Sequence, residues 1–157
     1  MTRVSPVSIW VTLRHGLRLA GGATFTDATI TGPARLPDTS TPDLTDTVPN
    51  PNKGNTPRRQ AKLVYQLSPS YSFGNFELGA AIIGTGKSWG NDENTITQPG
   101  FTVVNAYGNY QVNEKLSLSL SVNNLGNAVG YTEVEGDGHA SRSVNGRTVK
   151  AGLKYTF

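Results

Sequence analysis

From Val149 onward the chain alternates without a break: Val149, Ala151, Leu153, Tyr155 and Phe157 are apolar, and Lys150, Gly152, Lys154 and Thr156 between them are not. Side chains of a β-strand point to opposite faces in turn, so this stretch predicts a strand with one oily and one wet face. The same period of two recurs upstream. Val7, Ile9, Val11 and Leu13 alternate with Ser8, Trp10, Thr12 and Arg14; Leu17, Leu19, Gly21, Ala23 and Phe25 begin a second run that extends to about Ile30. Ala61, Leu63, Tyr65 and Leu67 form a third, which Ser68-Pro69-Ser70 is expected to close, and Phe76, Leu78, Ala80 and Ile82 a fourth. Val104, Ala106, Gly108, Tyr110 and Val112 mark the fifth, while Leu116, Leu118, Leu120 and Val122 alternate with Ser117, Ser119, Ser121 and Asn123 in the sixth. With the closing strand this makes seven strands and no helix.

The connections alternate in length. His15-Gly16, the stretch around Ser72 to Asn75, and Asn113-Glu114 are short turns. Between them lie three long polar loops: Gly32 to Pro57, with prolines at 33, 37, 42, 49, 51 and 57 that leave nothing able to pair or coil for long, then Lys87 to Gly100, then Asn124 to Asn145. Short turns on one side and long loops on the other are the asymmetry of an outer-membrane barrel. Strand direction then places Tyr71, Phe73, Phe76, Tyr110, Tyr155 and Phe157 near the short-turn end, and Phe25, Trp89, Phe101 and Tyr131 near the other, where aromatic girdles lie. The expected fold is all-β: an antiparallel up-and-down meander of the transmembrane β-barrel type, with residues 1–157 as a single barrel domain without a plug. A soluble sandwich or lipocalin-like barrel shares the period of two, but its wet positions should be rich in charge. Here they are mostly Ser, Thr, Asn, Gln and Gly. Seven strands leave two open edges, which hydrocarbon does not tolerate. The chain must recruit an eighth strand, for which Arg3 to Pro6 is a candidate, associate with other chains, or stay out of the bilayer.

Composition supports strands and turns: of 157 residues 16% are charged and 36% hydrophobic, with 18 Gly and 9 Pro. The net charge of +3 comes from scattered residues without a Lys/Arg block, which argues against nucleic acid as a partner. Absence of cysteine excludes disulfides and thiolate metal sites. No apolar run reaches the roughly 18 residues of a transmembrane helix. The first ten residues lack the apolar core of a signal peptide, so a chain destined for the outer membrane has either lost its leader or is a piece of a longer protein.

Candidate chemistry is sparse. Gly84-Thr85-Gly86-Lys87-Ser88 satisfies a relaxed phosphate-loop pattern, but Trp89-Gly90-Asn91-Asp92 after it is turn-forming where that motif needs a helix. Glu133, Glu135, Asp137 and His139 occupy every second position of the third loop and are weak candidates for a divalent cation; a solvated acidic loop is the plainer reading. The two histidines, His15 and His139, have no partners on a scaffold suited to catalysis, so no enzyme activity and no cofactor is expected. Trp89 and Phe101 flank the second loop and could stack on a sugar or aromatic ligand, or serve as girdle anchors. Lys62, Glu77, Lys150 and Lys154 fall on wet faces and would line a lumen.

Asn105-Ala106-Tyr107, then Ser119-Leu120-Ser121-Val122-Asn123-Asn124-Leu125, then Gly146-Arg147-Thr148-Val149 and the terminal Leu153-Lys154-Tyr155-Thr156-Phe157 resemble the last strands of TonB-dependent outer-membrane receptors. The Arg58-Arg59-Gln60 before the third strand is similar too. The likeness covers about the last hundred residues. It departs at Leu125-Gly126-Asn127, where the family usually continues with an aromatic, and it lacks the family's plug, energy-coupling box and most barrel strands. What the resemblance implies is the C-terminal barrel portion of a receptor for a siderophore, vitamin or saccharide-type ligand, located in the bacterial outer membrane and not transport-competent alone. Its partners would be outer-membrane lipid, the missing plug and remaining strands, and the barrel-assembly machinery through Val149, Leu153, Tyr155 and Phe157. The alternatives are a self-contained small outer-membrane barrel with a structural or adhesive role, or a soluble lipocalin-like ligand-binding barrel.

Overall fold

A computed structural model describes residues 2–12, 16–40, 45–134 and 141–157. Seven long strands form one sheet: β1 (Thr2–Thr12), β2 (Leu17–Ala28), β3 (Leu63–Phe73), β4 (Phe76–Thr85), β5 (Phe101–Asn113), β6 (Leu116–Asn123) and β7 (Thr148–Tyr155). Each pairs antiparallel with the next, and their order in the sheet is their order in the chain. β1 and β7 are not paired to each other, so the sheet is an open wall. Strands of 8 to 13 residues bracket the roughly 9–11 that a tilted strand needs to cross hydrocarbon.

The register carries one face through the whole sheet. Val11 faces Leu19, Gly21 faces Leu67, Leu67 faces Ile82, Ile82 faces Val104, Gly108 faces Leu120 and Leu120 faces Ala151. The apolar positions of the seven alternating runs that are paired in the sheet therefore fall on the same side, as far as the register shift between Leu116 and Ser117 at the short-turn end. The opposite side collects Arg18, Gln66, Glu77, Asn109, Ser117, Ser119, Ser121, Lys150 and Lys154, broken by apolar residues such as Val64 and Ile83. At the loop end the oily band gives way to Arg3 opposite Asp27. Toward the short turns it ends in rings: Tyr71 on Phe73 at 5.5 Å between centroids, Phe73 on Phe76 at 5.2 Å, Phe76 on Tyr110 at 4.3 Å and Tyr155 against Phe157 at 5.3 Å.

This wall has no core of its own. Among the described residues only Ala28 and Ala61 are buried apolar side chains, and no large side chain is fully buried. Val149 and Leu153 stand 63% and 69% exposed. A water-soluble sandwich would hide such a row against a second sheet; here no second sheet among the described residues covers it.

Glycines on the wall are covered by the residue directly across the ladder. A Cβ on Gly79 would sit 2.4 Å from the Tyr107 ring, and one on Gly84 would sit 2.2 Å from that of Tyr65. Tyr107 then donates to Glu77 Oε1 at 3.2 Å, and the Tyr65 hydroxyl shares a 2.6 Å hydrogen bond with Thr102 Oγ1. An aromatic laid over a cross-strand glycine restores the packing that glycine lacks.

Three expectations need correction. Ser68-Pro69-Ser70 does not close the third strand, which runs on to Phe73. Pro69 stays paired with Leu19 on one flank, whereas the ladder to β4 skips Ser68 and Pro69 and resumes at Ser70 in unchanged register, as a residue without an N–H requires. Arg3 to Pro6 is not an eighth strand but the beginning of β1, and the sheet places Pro6 on an edge strand, where a missing donor costs no ladder bond. The first long loop does pair briefly: Arg35–Pro37 lies antiparallel to Thr47–Pro49. Two of the short turns stand as expected. Gly74 takes φ +53° between Phe73 and Phe76, and Asn113 Oδ1 accepts from the N–H groups of Lys115 and Leu116. Of the His15-Gly16 turn, His15 lies outside the described residues; Gly16 has φ +84°.

Candidate functional site

The three long loops meet at one end of the wall and are tied to one another by polar side chains. The first and second are joined most densely. Asn94 donates from Nδ2 to the Thr56 carbonyl (2.8 Å) and accepts on Oδ1 from the Thr56 N–H (3.0 Å), while Asn55 Nδ2 donates to the Asp92 carbonyl at 3.0 Å. Asp92 Oδ1 accepts from the Arg58 N–H at 2.9 Å, and the Arg59 N–H donates to the Trp89 carbonyl at 2.7 Å. The second loop reaches the third through Gln98 Nε2, which donates to the Tyr131 carbonyl at 2.6 Å. The first reaches the third through Arg59, whose guanidinium lies 2.7 Å from Glu133 Oε1.

The foot of the third loop is organised by one asparagine. Asn124 is 2% exposed with φ +50°, a left-handed conformation that asparagine tolerates better than most residues. Its N–H donates to Asn105 Oδ1 (2.9 Å), its Nδ2 donates to the carbonyls of Ala128 and Asn145 (2.9 Å each), and its Oδ1 accepts from the Ala128 N–H (2.8 Å). Asn127, also left-handed, accepts on Oδ1 from the Arg147 N–H at 3.0 Å. Strand β6 thus ends in a polar knot that fixes both feet of the loop leading to β7.

A cleft of about 430 Å³ opens at the loop ends of β3 and β4, lined by Thr56, Gln60, Lys62, Lys87, Trp89 and Asn94, with Leu63 and Gly86 at its floor. The β3–β4 register, with Val64 opposite Thr85, continues upward through a bond from the Gly86 N–H to the Leu63 carbonyl (2.7 Å), and just beyond it Lys62 and Lys87 both border the cleft. Lys87 Nζ sits 4.1 Å from the centroid of the Trp89 ring, a cation–π distance.

The sequence candidates scatter over this end. Trp89 lines the cleft, but Phe101 does not: its ring packs at the position a Cβ on Gly130 would take, 2.3 Å away, bracing the third loop. Of the acidic row, Glu135, Asp137 and His139 lie outside the described residues. Glu133 is engaged by Arg59 and, at 3.8 Å, by Arg142 Nε. No group of three or more potential metal ligands is found among the described residues. After Lys87 the chain forms a two-residue hairpin, Ser88–Trp89 with Thr97–Gln98, so no helix terminus stands where a phosphate loop needs one. The meeting of Lys62 and Lys87 at one cleft depends on the placing of β3 beside β4, and the role of Asn124 on a contact 21 residues away, so no local signal reveals them. The quoted Val122-Asn123-Asn124-Leu125 motif nevertheless contains the asparagine that ties the loop.

A family model described as TonB dependent receptor-like, beta-barrel matches residues 6–125. Among solved structures, the siderophore receptor PiuA of Acinetobacter baumannii superposes with a TM-score of 0.81 at 19% identity, covering 98% of this chain and 22% of that one. BauA, the ferric preacinetobactin receptor of the same organism, gives 0.73 at 21% identity, covering 98% and 22%. Fiu, the ferric-catecholate import receptor of E. coli K12 in its closed form, gives 0.71 at 18% identity, covering 97% and 20%. This chain thus spans about a fifth of the length of those receptors. No curated protein sequence matches it.

Proposed function

The chain belongs to the TonB-dependent receptor β-barrel family of the bacterial outer membrane, and from that premise we propose that it forms the closing part of the wall and extracellular rim of an uptake receptor for a siderophore-type ligand. The observation that carries this reading is the single apolar face running unbroken across seven strands that bury almost nothing against one another. Such a face is stable only against lipid, and the wet face then lines an aqueous interior. The names of the structural neighbours, a siderophore receptor, a ferric-catecholate import receptor and a ferric preacinetobactin receptor, support the ligand class.

Seven strands are about a third of the 22 in a plugged outer-membrane transporter. The free edges of β1 and β7 carry unpaired backbone groups that the remaining strands would satisfy, so the segment alone does not transport. β7, alternating and apolar on one side, is suited to add to another sheet during barrel assembly. Val149, Leu153, Tyr155 and Phe157 would be its recognition row. The test compares far-ultraviolet circular dichroism in plain buffer, in detergent micelles and in lipid vesicles. Strand signal that depends on detergent or lipid is expected. A folded monomer in plain buffer, with Leu116, Leu118 and Leu120 protected from solvent, would overturn the membrane reading.

A further inference from the structure

We propose that Asn145-Gly146, at the far foot of the third loop, is a site of spontaneous modification: the Asn145 side chain loses its amide through a cyclic imide, and the isoaspartate that results releases the loop from its anchor. This chemistry belongs to the rim itself and goes beyond the receptor reading, being independent of the ligand.

Cyclisation needs a backbone nitrogen that can reach the side-chain carbon of the preceding asparagine, and a side chain on the following residue obstructs that approach. Asn145 is the only asparagine in the sequence followed by glycine. The fold leaves its reacting groups free. Asn145 and Gly146 are exposed and lie outside the strands, and among the described residues neither the Asn145 side chain nor the Gly146 N–H makes a hydrogen bond. The side chains of Asn94, Asn113, Asn124 and Asn127 are instead tied to backbone groups. On both sides of the reacting pair the backbone is held. The Val144 N–H donates to the Gly130 carbonyl at 2.8 Å, the Asn145 carbonyl accepts from Asn124 Nδ2 at 2.9 Å, and the Arg147 N–H donates to Asn127 Oδ1 at 3.0 Å.

In the first step the Gly146 nitrogen bonds to Asn145 Cγ, the Cγ–Nδ2 bond breaks, and the side-chain amide leaves as ammonia with the proton that Gly146 gives up. Water then opens the ring. Cleavage between the ring nitrogen and Cγ yields aspartate; cleavage between that nitrogen and the main-chain carbonyl carbon of Asn145 yields isoaspartate. Nothing is oxidised or reduced, and either product exchanges NH for O. In isoaspartate the main chain runs through Cβ and Cγ, and the carbonyl that Asn124 holds becomes a carboxylate beside it. The added carbon–carbon bond lengthens the path by roughly 1.5 Å, whereas N–H···O bonds tolerate only a few tenths of an ångström. A span pinned at Val144, Asn145 and Arg147 cannot take up that length with all three bonds intact, so the knot around Asn124 opens.

Ageing the full chain in detergent micelles at mildly alkaline pH, with the strand signal checked before and after, tests this. Trypsin releases residues 143–147 as one peptide in which Asn145 is the only asparagine. Mass spectrometry reads its deamidation, and an isoaspartate-specific methyltransferase reads the rearranged product. Asn145 is expected to convert ahead of every other asparagine, and faster as pH rises, because the attacking nitrogen must lose its proton. Gly146→Ala should slow conversion about tenfold or more without disturbing the fold, since φ there is not left-handed and the added Cβ would lie 3.5 Å from Asn127 Oδ1, an ordinary contact. Asn124→Ala frees the Asn145 carbonyl and should speed conversion about fivefold, the rate equivalent of one hydrogen bond. Aged chain should melt below the Asn145→Asp variant, which carries the new charge without the longer backbone. The proposal is overturned if Asn145 stays intact while a free peptide of residues 143–147 is converted, or if aged chain rich in isoaspartate melts together with Asn145→Asp. Absence of strand signal in micelles overturns the receptor-wall reading, and with it the pinned geometry on which the proposal stands.

Discussion

Strand β6 and the residue that follows it show two ways of holding a chain. From Leu116 to Val122 the backbone is laddered on both flanks, to β5 and to β7, and the side chains only sort themselves to one face or the other. At Asn124 the ladder stops and the side chain takes over, with three hydrogen bonds from a buried amide to groups four and 21 residues away. The wall is a repeat in which neighbouring rungs do the same work. The rim is a set of individual polar contacts, and losing one of them leaves partners unsatisfied. Damage should therefore be set by face on the wall and by identity at the rim.

The largest effect separates the two faces of the wall. Leu120 and Ser119 are adjacent on β6 and point to opposite sides. Leu120→Arg places a charge in the oily band and should cost roughly 2–4 kcal/mol of stability in lipid, the usual penalty for arginine near the bilayer midplane. Ser119→Arg on the wet face should cost under about 1 kcal/mol. Urea titrations in vesicles of the two variants decide the matter, and equal costs would mean that the faces have been misassigned.

At the rim, Asn124→Ala removes three side-chain bonds at a site that is 2% exposed and strands the carbonyls of Ala128 and Asn145. With about 1 kcal/mol net per bond, and alanine less tolerant of a left-handed φ, the expected loss is about 2–3 kcal/mol. Val122→Ala, two residues earlier on the wall, should cost less than that. Thermal melting in micelles compares the pair.

The same contrast explains what could be read from the chain. Seven strands, their faces and the alternation of short turns with long loops are written locally, because a period of two repeats at every residue from Leu116 to Val122 and again from Val149. The passage of β3 through Pro69 was hidden for the opposite reason. Proline breaks a local pattern, and only the partner strands show that one flank of the ladder survives. Arg3 to Pro6 were hard to place for the same cause. The rim was least legible: Asn94, Gln60 and Lys87 come together with Lys62 only once β3 and β4 are in register and the first and second loops are folded over them. Trp89 and Phe101 looked equivalent in the sequence, each an aromatic beside one loop, yet one borders a cleft and the other props up the third loop.

Smaller effects test the covering of glycines on the wall. Gly79→Ala must push the Tyr107 ring aside and break its bond to Glu77, whereas Ala81, the next residue on that face, already carries a Cβ. A loss of about 1 kcal/mol is expected, chiefly the hydrogen bond. Tyr107→Leu alone should cost a similar amount, and the double variant should cost less than the sum, since the two changes remove one contact. Strict additivity in chemical denaturation would show that the tyrosine does not pack on the glycine.

The smallest expected effect lies in the bridge between the first and third loops. Arg59 combines an exposed ion pair to Glu133 with φ +61°, a left-handed backbone, so two substitutions pull in opposite directions. Arg59→Gln keeps the strained backbone and loses the pair, at a cost of about 0.5 kcal/mol that vanishes in high salt, since both partners are substantially exposed. Arg59→Gly loses the same pair but relieves roughly 1 kcal/mol of left-handed strain, leaving it at least as stable as Arg59→Gln. Were the glycine variant the weaker of the two at every salt concentration, the guanidinium would be stabilising the rim through packing of its stem, and the first loop would owe its position to apolar contact instead of charge.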